Sequence, residues 1–578
     1  MKRIPRWMIV LLSVFVLLII VALVVPYFLD VDRYRTLIAS TVEKETGRKV
    51  IIGKIRARLI PSVGFTIDGF ALGNPKDYAE GNFLSADFIR GSLAWGPLLS
   101  REFQLSAIEI VHPRIVMLEN DQGKTNYEFE IQQQPARDSA FRLADIDSIR
   151  LTDAEFVMGR VTGPRKKFVE DVRVTKLNAR FSDVALDAKR LKQWKAEADP
   201  AGVQMHIPGF KSPIEFQSGD FTLRDGAANS SFEFTLGKVT RAKGKMQVSD
   251  IEKAVVNFEL STPLVDLDQL NAETEGVPTP PPAPPVRTPG SELVARGRIT
   301  ADKIRYAPYD GNKASAEIRV FTDRVEVWPA TMALYDGSLG VSARVDRRQS
   351  PPRFSANIEL RNLDVAKAMA ASPQTRGKMT GMAEATLQLF GTQGSNILNS
   401  LTGSGNFAVK DARLPSINMS GALQTLGKLQ RVMTFGAGSG GFSGETKIQS
   451  ITGDLAIADA RVFSQRIHVD SDSGTVDLRG SFGFDQTLNY DGQAVLMRSG
   501  SGQADNPAGA VLGVLSGVMK QTVGRISVPF AVRGTFSDPK IQPGRGIPGI
   551  STTTQQQTTQ QEQQKKKGLL DLFRKPPS

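Results

Sequence analysis

The chain has 578 residues, of which 40% are apolar and 23% charged, with a formal charge of +12 and no cysteine. That balance belongs to a folded protein rather than a disordered one, and the missing thiols exclude thiolate catalysis, disulfide staples and cysteine-ligated zinc. Half of the net charge sits at the two ends, on Lys2, Arg3 and Arg6 and on the tail around Lys565, Lys566 and Lys567. The dilute remainder forms no phosphate-tracking stripe, which disfavours nucleic acid as a partner.

No residue from Trp7 to Leu29 is charged. A run of this length, at ~1.5 Å per helical residue, reaches roughly 34 Å, enough to cross a bilayer core. Lys2, Arg3 and Arg6 precede it and place that end in the cytoplasm; Trp7 and Tyr27 stand where interfacial aromatics belong. The run is longer than the apolar core of a signal peptide and no A-x-A site follows. An uncleaved single-pass anchor is therefore expected, with the bulk of the chain outside the cytoplasm.

Next, residues 31–50 have helical spacing, with Tyr34, Leu37, Ile38 and Val42 mostly on one side and Gly47 as a stop. Short β-runs follow in IIGKIRARLI, GFTIDGFALG and LSAIEIVHPRIVML, and the style continues through SSFEFTLG and AVVNFELS. EGVPTPPPAPPVRTPG (275–290) is a stiff polyproline-like spacer that cannot join a sheet interior. These shifts divide the chain into a cytoplasmic tip and anchor (1–30), a first β region (31–135), a middle β region (136–274), a Pro-rich linker or loop (275–291), a further β region (292–550) and a Gln-rich tail (551–578).

Beyond the spacer the alternation is clearest. Val341, Ala343 and Val345 oppose Ser342, Arg344 and Asp346; Phe354, Ile358 and Leu360 oppose Ser355, Asn357 and Glu359. Val476, Leu478, Phe482 and Phe484 oppose Asp477, Arg479, Ser481 and Asp485, and Val528, Phe530 and Val532 oppose Ser527 and Arg533. Successive strand side chains point to opposite faces, so each run has one apolar and one wet side. One different segment, SINMSGALQTLGKLQRVM (416–433), suits a helix. About twenty strands and one or two helices are expected from period counting.

Chemistry is sparse. The three histidines, His112, His206 and His468, have no metal-ligand spacing, no G-x-S-x-G elbow occurs, and GAGSGGFSGET lacks the G-K-[ST] of a phosphate loop. Catalytic, cofactor-binding and metal sites are therefore not expected, and the chain is not expected to be an enzyme; a hydrolase would need converging titratable groups. The apolar faces remain. So many amphipathic strands with so few helices must stack on a second sheet, close into a barrel, or line a groove. An acyl chain is the natural apolar ligand beside a membrane anchor.

Several stretches carry a family resemblance. TGRKVIIGKIRARLIPSVGFTIDGFALGNP (46–75) and LAWGPLLSREFQLSAIEIVHPRIVMLENDQGKTNYEF (93–129) resemble the N-terminal region of AsmA-family proteins. ALYDGSLGV (333–341), LTGSGNFAVKDARLPSINM (401–419) and ISVPFAVRGTFSDPKIQPG (526–544) resemble that family's C-terminal region, and LVDLDQLN (264–271) before a Pro-rich linker fits its layout. Residues 136–260 match only in style.

The resemblance implies an inner-membrane protein projecting into the periplasm. Its fold would be mainly β: a transmembrane helix, then a long, curled, mostly antiparallel sheet with few helices, similar to bridge-like lipid-transfer proteins. It implies phospholipid movement towards the outer membrane and offers no catalytic residues to carry over. The candidate lipid-facing residues are then the apolar sets named above. The rival expectation is an assembly or targeting factor for outer-membrane proteins acting by strand pairing. The apolar tip LLDLF (569–573), flanked by basic residues, is a candidate contact with the outer membrane or a partner there.

Overall fold

The computed structural model describes residues 31–544 apart from 59–61, 76–77, 79–80, 95–104, 128–145, 164–165, 185–191, 278–290, 374, 394–396, 416–445, 473, 498–524 and 536–538. The expected anchor, the helix expected at 416–433 and the tail lie outside the described residues. Among those described, no helix is long and apolar enough to cross a membrane. The fold is mainly β, with 26 strands among the described residues, more than period counting anticipated. Two compact units divide the chain, Met1–Leu360 with Gln388–Ser400, and Arg361–Leu387 with Leu401–Ser578.

The first unit begins with a short 3-10 turn, Asp32–Tyr34, and helix α1, Arg35–Thr46. Gly47 ends α1 at φ 67°, a left-handed stop that costs glycine nothing, and its N–H donates to the Glu43 carbonyl. Strands β1 (Val50–Arg58), β2 (Gly64–Gly73) and β3 (Asn82–Leu93) form an antiparallel ladder. Val50, Ile52, Ile55, Ile67 and Leu72 are buried there, and Val31, Ile38, Ala39 and Val42 close over them. The 3-10 turn and helix α1 also satisfy backbone N–H groups of β1. The Ile55 N–H donates to Asp32 Oδ1 at 2.8 Å and the Val50 N–H to Glu43 Oε1 at 2.9 Å.

Strands β4 (Leu105–Val111) and β5 (Arg114–Asn120) both pair with β3 and both run parallel to β6 (Ile146–Thr162). The break between them is His112 at φ 48° followed by Pro113, which has no N–H to give a ladder. Next comes β7 (Lys167–Val184), antiparallel to β6. It hands on to β8 (Lys195–Asp199) and β9 (Gln204–His206), each of which pairs with both β7 and β10 (Ile214–Arg224).

An antiparallel meander follows through β11 (Ala227–Leu236), β12 (Thr240–Val248) and β13 (Val256–Asp266). Asp266 ends β13 and caps helix α2 (Leu267–Thr274), accepting from the N–H groups of Asp268 and Gln269. After the Pro-rich segment, β14 (Leu293–Tyr306) pairs with β13 in parallel, from Val256 beside Ala295 to Asp266 beside Arg305. Arg305 Nε donates to Asp266 at 3.0 Å. That hydrogen bond, with those from the helix N–H groups, holds the Asp266 carboxyl below its usual range. Strands β15 (Tyr309–Phe321), β16 (Arg324–Leu334) and β17 (Gly337–Asp346) extend the ladder antiparallel, and β18 (Arg353–Asp364) follows. The ladders are thus mixed, antiparallel except where β4, β5 and β14 meet parallel partners.

The second unit takes in β19 (Thr380–Thr392) as far as Leu387, then β20 (Thr402–Leu414), β21 (Thr446–Ala458), β22 (Arg461–Ser471), β23 (Gly474–Gly483), β24 (Thr487–Met497), β25 (Arg525–Thr535) and β26 (Pro539–Pro543). From β20 to β26 each strand pairs antiparallel with the next. Ala412, Ile448, Val469, Val476, Ala494 and Phe530 form its buried cluster.

Candidate functional site

The register of the first unit lines up apolar residues across eight consecutive strands. Leu223, Ala228, Val248 and Val256 on β10–β13 continue as Ala295, Val320, Val325 and Val345 on β14–β17. Phe221, Ser230, Met246 and Phe258 continue as Gly297, Ile318, Val327 and Ala343. Gly219, Phe232, Gly244 and Leu260 continue as Ile299, Ala316, Ala330 and Val341. Ser230 is the one polar side chain in the three rows. The alternate positions are the reverse: Thr222, Asn229, Gln247 and Asn257 lead to Arg296, Arg319, Glu326 and Arg344.

These rows are not a closed core. Gly244 alone is buried, Met246 is 40% exposed, and the remaining row residues are half-buried. The buried hydrophobic clusters among the described residues lie elsewhere, near α1, around Leu118 and in the second unit. Eight strands at ~4.8 Å spacing and three rows at ~7 Å make an apolar strip of roughly 34 by 14 Å. A footprint of about 500 Å² is within the range of the largest apolar patch on soluble monomers, which is often functional.

Recurrent pairs level this face. Phe232 stands opposite Gly244 and Phe258 opposite Gly297, and each ring occupies the space that a Cβ on its glycine would need. Phe65 with Gly91, Phe407 with Gly453 and Phe530 with Gly492 repeat the arrangement. A ring laid over a glycine restores the burial that the missing side chain would have provided.

In the second unit the sequence-selected residues also converge. Val409, Ile451 and Val469 continue as Val476, Ala494 and position 528; Phe407, Gly453 and Ile467 continue as Leu478, Gly492 and Phe530. Val462 continues as Phe482 and Leu488, while Ser464, Gly480 and Tyr490 lead to Val532. This face is better covered, with Ala494 fully buried, Val476 at 5% and Phe530 at 7% exposure. Burial pushes the Tyr490 phenol up. The side chain of Val528 lies outside the description. Phe484 falls beyond the end of β23, is exposed, and donates its N–H to the Ala460 carbonyl.

An inserted residue keeps the face in phase. Pairing slips on β22 between Ser464 and Ile467, and the N–H groups of Gln465 and Arg466 both donate to the Asp454 carboxylate, at 3.0 and 2.8 Å. Val462 and Ser464 before the bulge and Val469 and Ser471 after it are all buried, although their parities differ. Of the other candidates, Val341, Ala343 and Val345 end the three rows on β17, and Phe354, Ile358 and Leu360 are half-buried on β18. Trp7, Tyr27, Lys2, Arg3 and Arg6 lie outside the described residues.

Two of the three histidines, His112 and His468, sit beside carboxylates at the surface. His112 Nδ1 is 2.8 Å from Asp87 and its Nε2 3.6 Å from Asp153; His468 Nδ1 is 2.9 Å from Asp477. Burial raises Asp477, but hydrogen bonds from His468 and Arg466 outweigh it and hold the carboxyl below its usual range. A polar cleft lined by Arg180, Ser182, Lys195, Ala196, Glu197 and Arg224 has most of its charges tied in pairs, Arg224 to Glu197 and Lys195 to Asp183.

The sequence-selected residues began at Val341 and missed the apolar rows on β10–β16. Their signal was present in SSFEFTLG and AVVNFELS, but only the register joins short alternations into rows. The AsmA family model matches residues 1–247. No curated protein and no solved structure matches the chain. The match takes in residues 136–247, where the likeness was one of style, and stops short of the motifs at 333–341, 401–419 and 526–544. Residues 1–247 thus form an AsmA-family region of the chain.

Proposed function

We propose that this chain is a lipid-transfer protein of the inner membrane. Residues 7–29 anchor it with the N-terminus in the cytoplasm, the sheet stands in the periplasm, and acyl chains of phospholipids travel along its apolar face towards the outer membrane. The observation that supports this reading best is the set of three apolar rows over eight strands, half-exposed and backed by a polar opposite face. The AsmA-family region is compatible with it.

The chemistry is burial without bond-making. Each methylene laid on the rows contributes about 0.8 kcal/mol, less where one side stays open. Headgroups remain in water beyond the rows. Because the rows offer similar apolar contact at every strand, a chain shifts along them without a deep trap. Direction then comes from a lipid gradient or a partner, and the tip 569–573 is the candidate contact at the far membrane.

The rival reading, strand addition to an outer-membrane protein, needs an open sheet edge. At Val50 and Ile55 the β1 edge is taken by Glu43 and Asp32, and β26 begins and ends in proline. Neither favours that role. Site-specific photo-crosslinking in living cells decides between the two. Probes at Phe258, Val327 and Val345 should yield phospholipid adducts, and probes at Glu326 and Arg344 on the opposite face should not. Protein adducts on the first set, or lipid on both sets alike, would end the transfer reading.

A further inference from the structure

The two sides of α1 differ in a way that the sheet does not explain. Ile38, Ala39 and Val42 pack down on β1 and β2. Tyr34 is 45% and Leu37 61% exposed, the latter the more exposed of the two large apolar residues on this segment's outer side. Arg33 lies over the Tyr34 ring, its guanidinium carbon 4.8 Å from the ring centre, and Lys44, seven residues on from Leu37 and so on the same side of the helix, is exposed. An aromatic ring, a leucine and basic side chains on one helix surface form the composition that settles at a lipid headgroup boundary.

The chain's own connectivity selects the occupant. The uncharged run 7–29 ends three residues before Asp32, and three residues span at most about 11 Å. If that run crosses a bilayer, the turn at Asp32–Tyr34 stays within about 11 Å of its surface, and α1 starts directly from that turn. We propose that α1 is a membrane-surface helix, with Tyr34 and Leu37 entering the headgroup region of the leaflet from which residue 30 emerges. This rests on the anchor part of the function proposed above and does not depend on lipid transfer. Its inner side meanwhile closes the apolar residues of β1 and β2. One helix, about 10 Å across, therefore separates those residues from the bilayer.

The absence of cysteine makes the test direct. Single-cysteine variants of the full chain, Leu37→Cys, Tyr34→Cys, Leu18→Cys and Arg319→Cys, are labelled with an environment-sensitive fluorophore. They are reconstituted in phosphatidylcholine vesicles containing phosphatidylglycerol and a shallow spin-labelled lipid quencher. The labels on Leu37→Cys and Tyr34→Cys should be blue-shifted and quenched at least threefold more than the label on Arg319→Cys. Quenching of the Leu18→Cys label with a water-like Leu37→Cys label would overturn the surface-helix proposal and leave the anchor standing. Water-like labels at both positions would remove the anchor, and this proposal with it. Leu37 and Tyr34 are exposed, so neither substitution threatens folding, and circular dichroism of each variant checks that.

Discussion

Replacing Ile318 with aspartate tests the apolar face at its centre. Ile318 sits between Gly297 on β14 and Val327 on β16, in the middle of three rows, and is half-buried. An acyl chain crossing one strand spacing of ~4.8 Å lays down about four methylenes, worth about 3 kcal/mol if wholly buried and half that on an open face. Losing about 1.5 kcal/mol of contact lowers lipid occupancy about tenfold, and an unpaired carboxylate under the chain adds to the loss. The assay is mass-spectrometric measurement of phospholipid co-purified per protein, with the melting temperature as a folding control. Arg319→Asp, one residue along on the polar face, should change occupancy less than twofold. Equal loss in both variants, or undiminished lipid in Ile318→Asp, would refute the argument that the rows hold the ligand.

Three further outcomes follow from local geometry. Gly492→Val drives a side chain into the Phe530 ring and should cost about 2 kcal/mol, while the double variant with Phe530→Leu should lose less than the sum of the two singles, read by thermal unfolding. Asp32→Ala and Glu43→Ala should each cost about 1 kcal/mol and speed amide exchange at Ile55 and Val50 respectively, the two N–H groups they accept from. The Arg348 guanidinium beside Asp346 holds its carboxyl down to about 2. A lowered folded value means this contribution is present above the ordinary carboxylate range and is lost as pH falls towards 2. Water screens the pair, so Asp346→Asn should cost about 0.5 kcal/mol at pH 7 and nothing at pH 2, measured by urea unfolding.

Much of the architecture is legible in the alternation, because a two-residue period and glycine-rich turns are local properties. IIGKIRAR, GFTIDGFALG and FSANIELR lie in β1, β2 and β18, and Gly47 ends α1 as expected. The face of α1 was read less well. Tyr34 belongs to the preceding 3-10 turn, and Leu37 and Ala39, about 200° apart around the axis, cannot both join Ile38 on the sheet. Phe484 shows the limit of parity: its position matched Phe482, but the strand ends at Gly483 and the chain turns away. Register is not local at all. Nothing in FEFTLGKVTRAKGK says that Phe232 will face Gly244, or that both will share a row with Leu260 and Ile299. Nor does alternation reveal that the row on β10–β17 is left half-open while that on β21–β25 is covered.

The phenylalanine–glycine pairs bear on friction rather than affinity. A row of alternating bulky and absent side chains is a corrugated track, with a hill at each ring and a pit at each glycine. Moving an acyl chain forward by one strand would then mean breaking contact with one or two methylenes, a step of about 0.8 to 1.6 kcal/mol against a thermal energy of roughly 0.6 kcal/mol. Because Phe232 and Phe258 lean sideways onto Gly244 and Gly297, each hill is spread over its own pit. The apolar volume in the row is unchanged, while the relief that a sliding chain must climb is reduced.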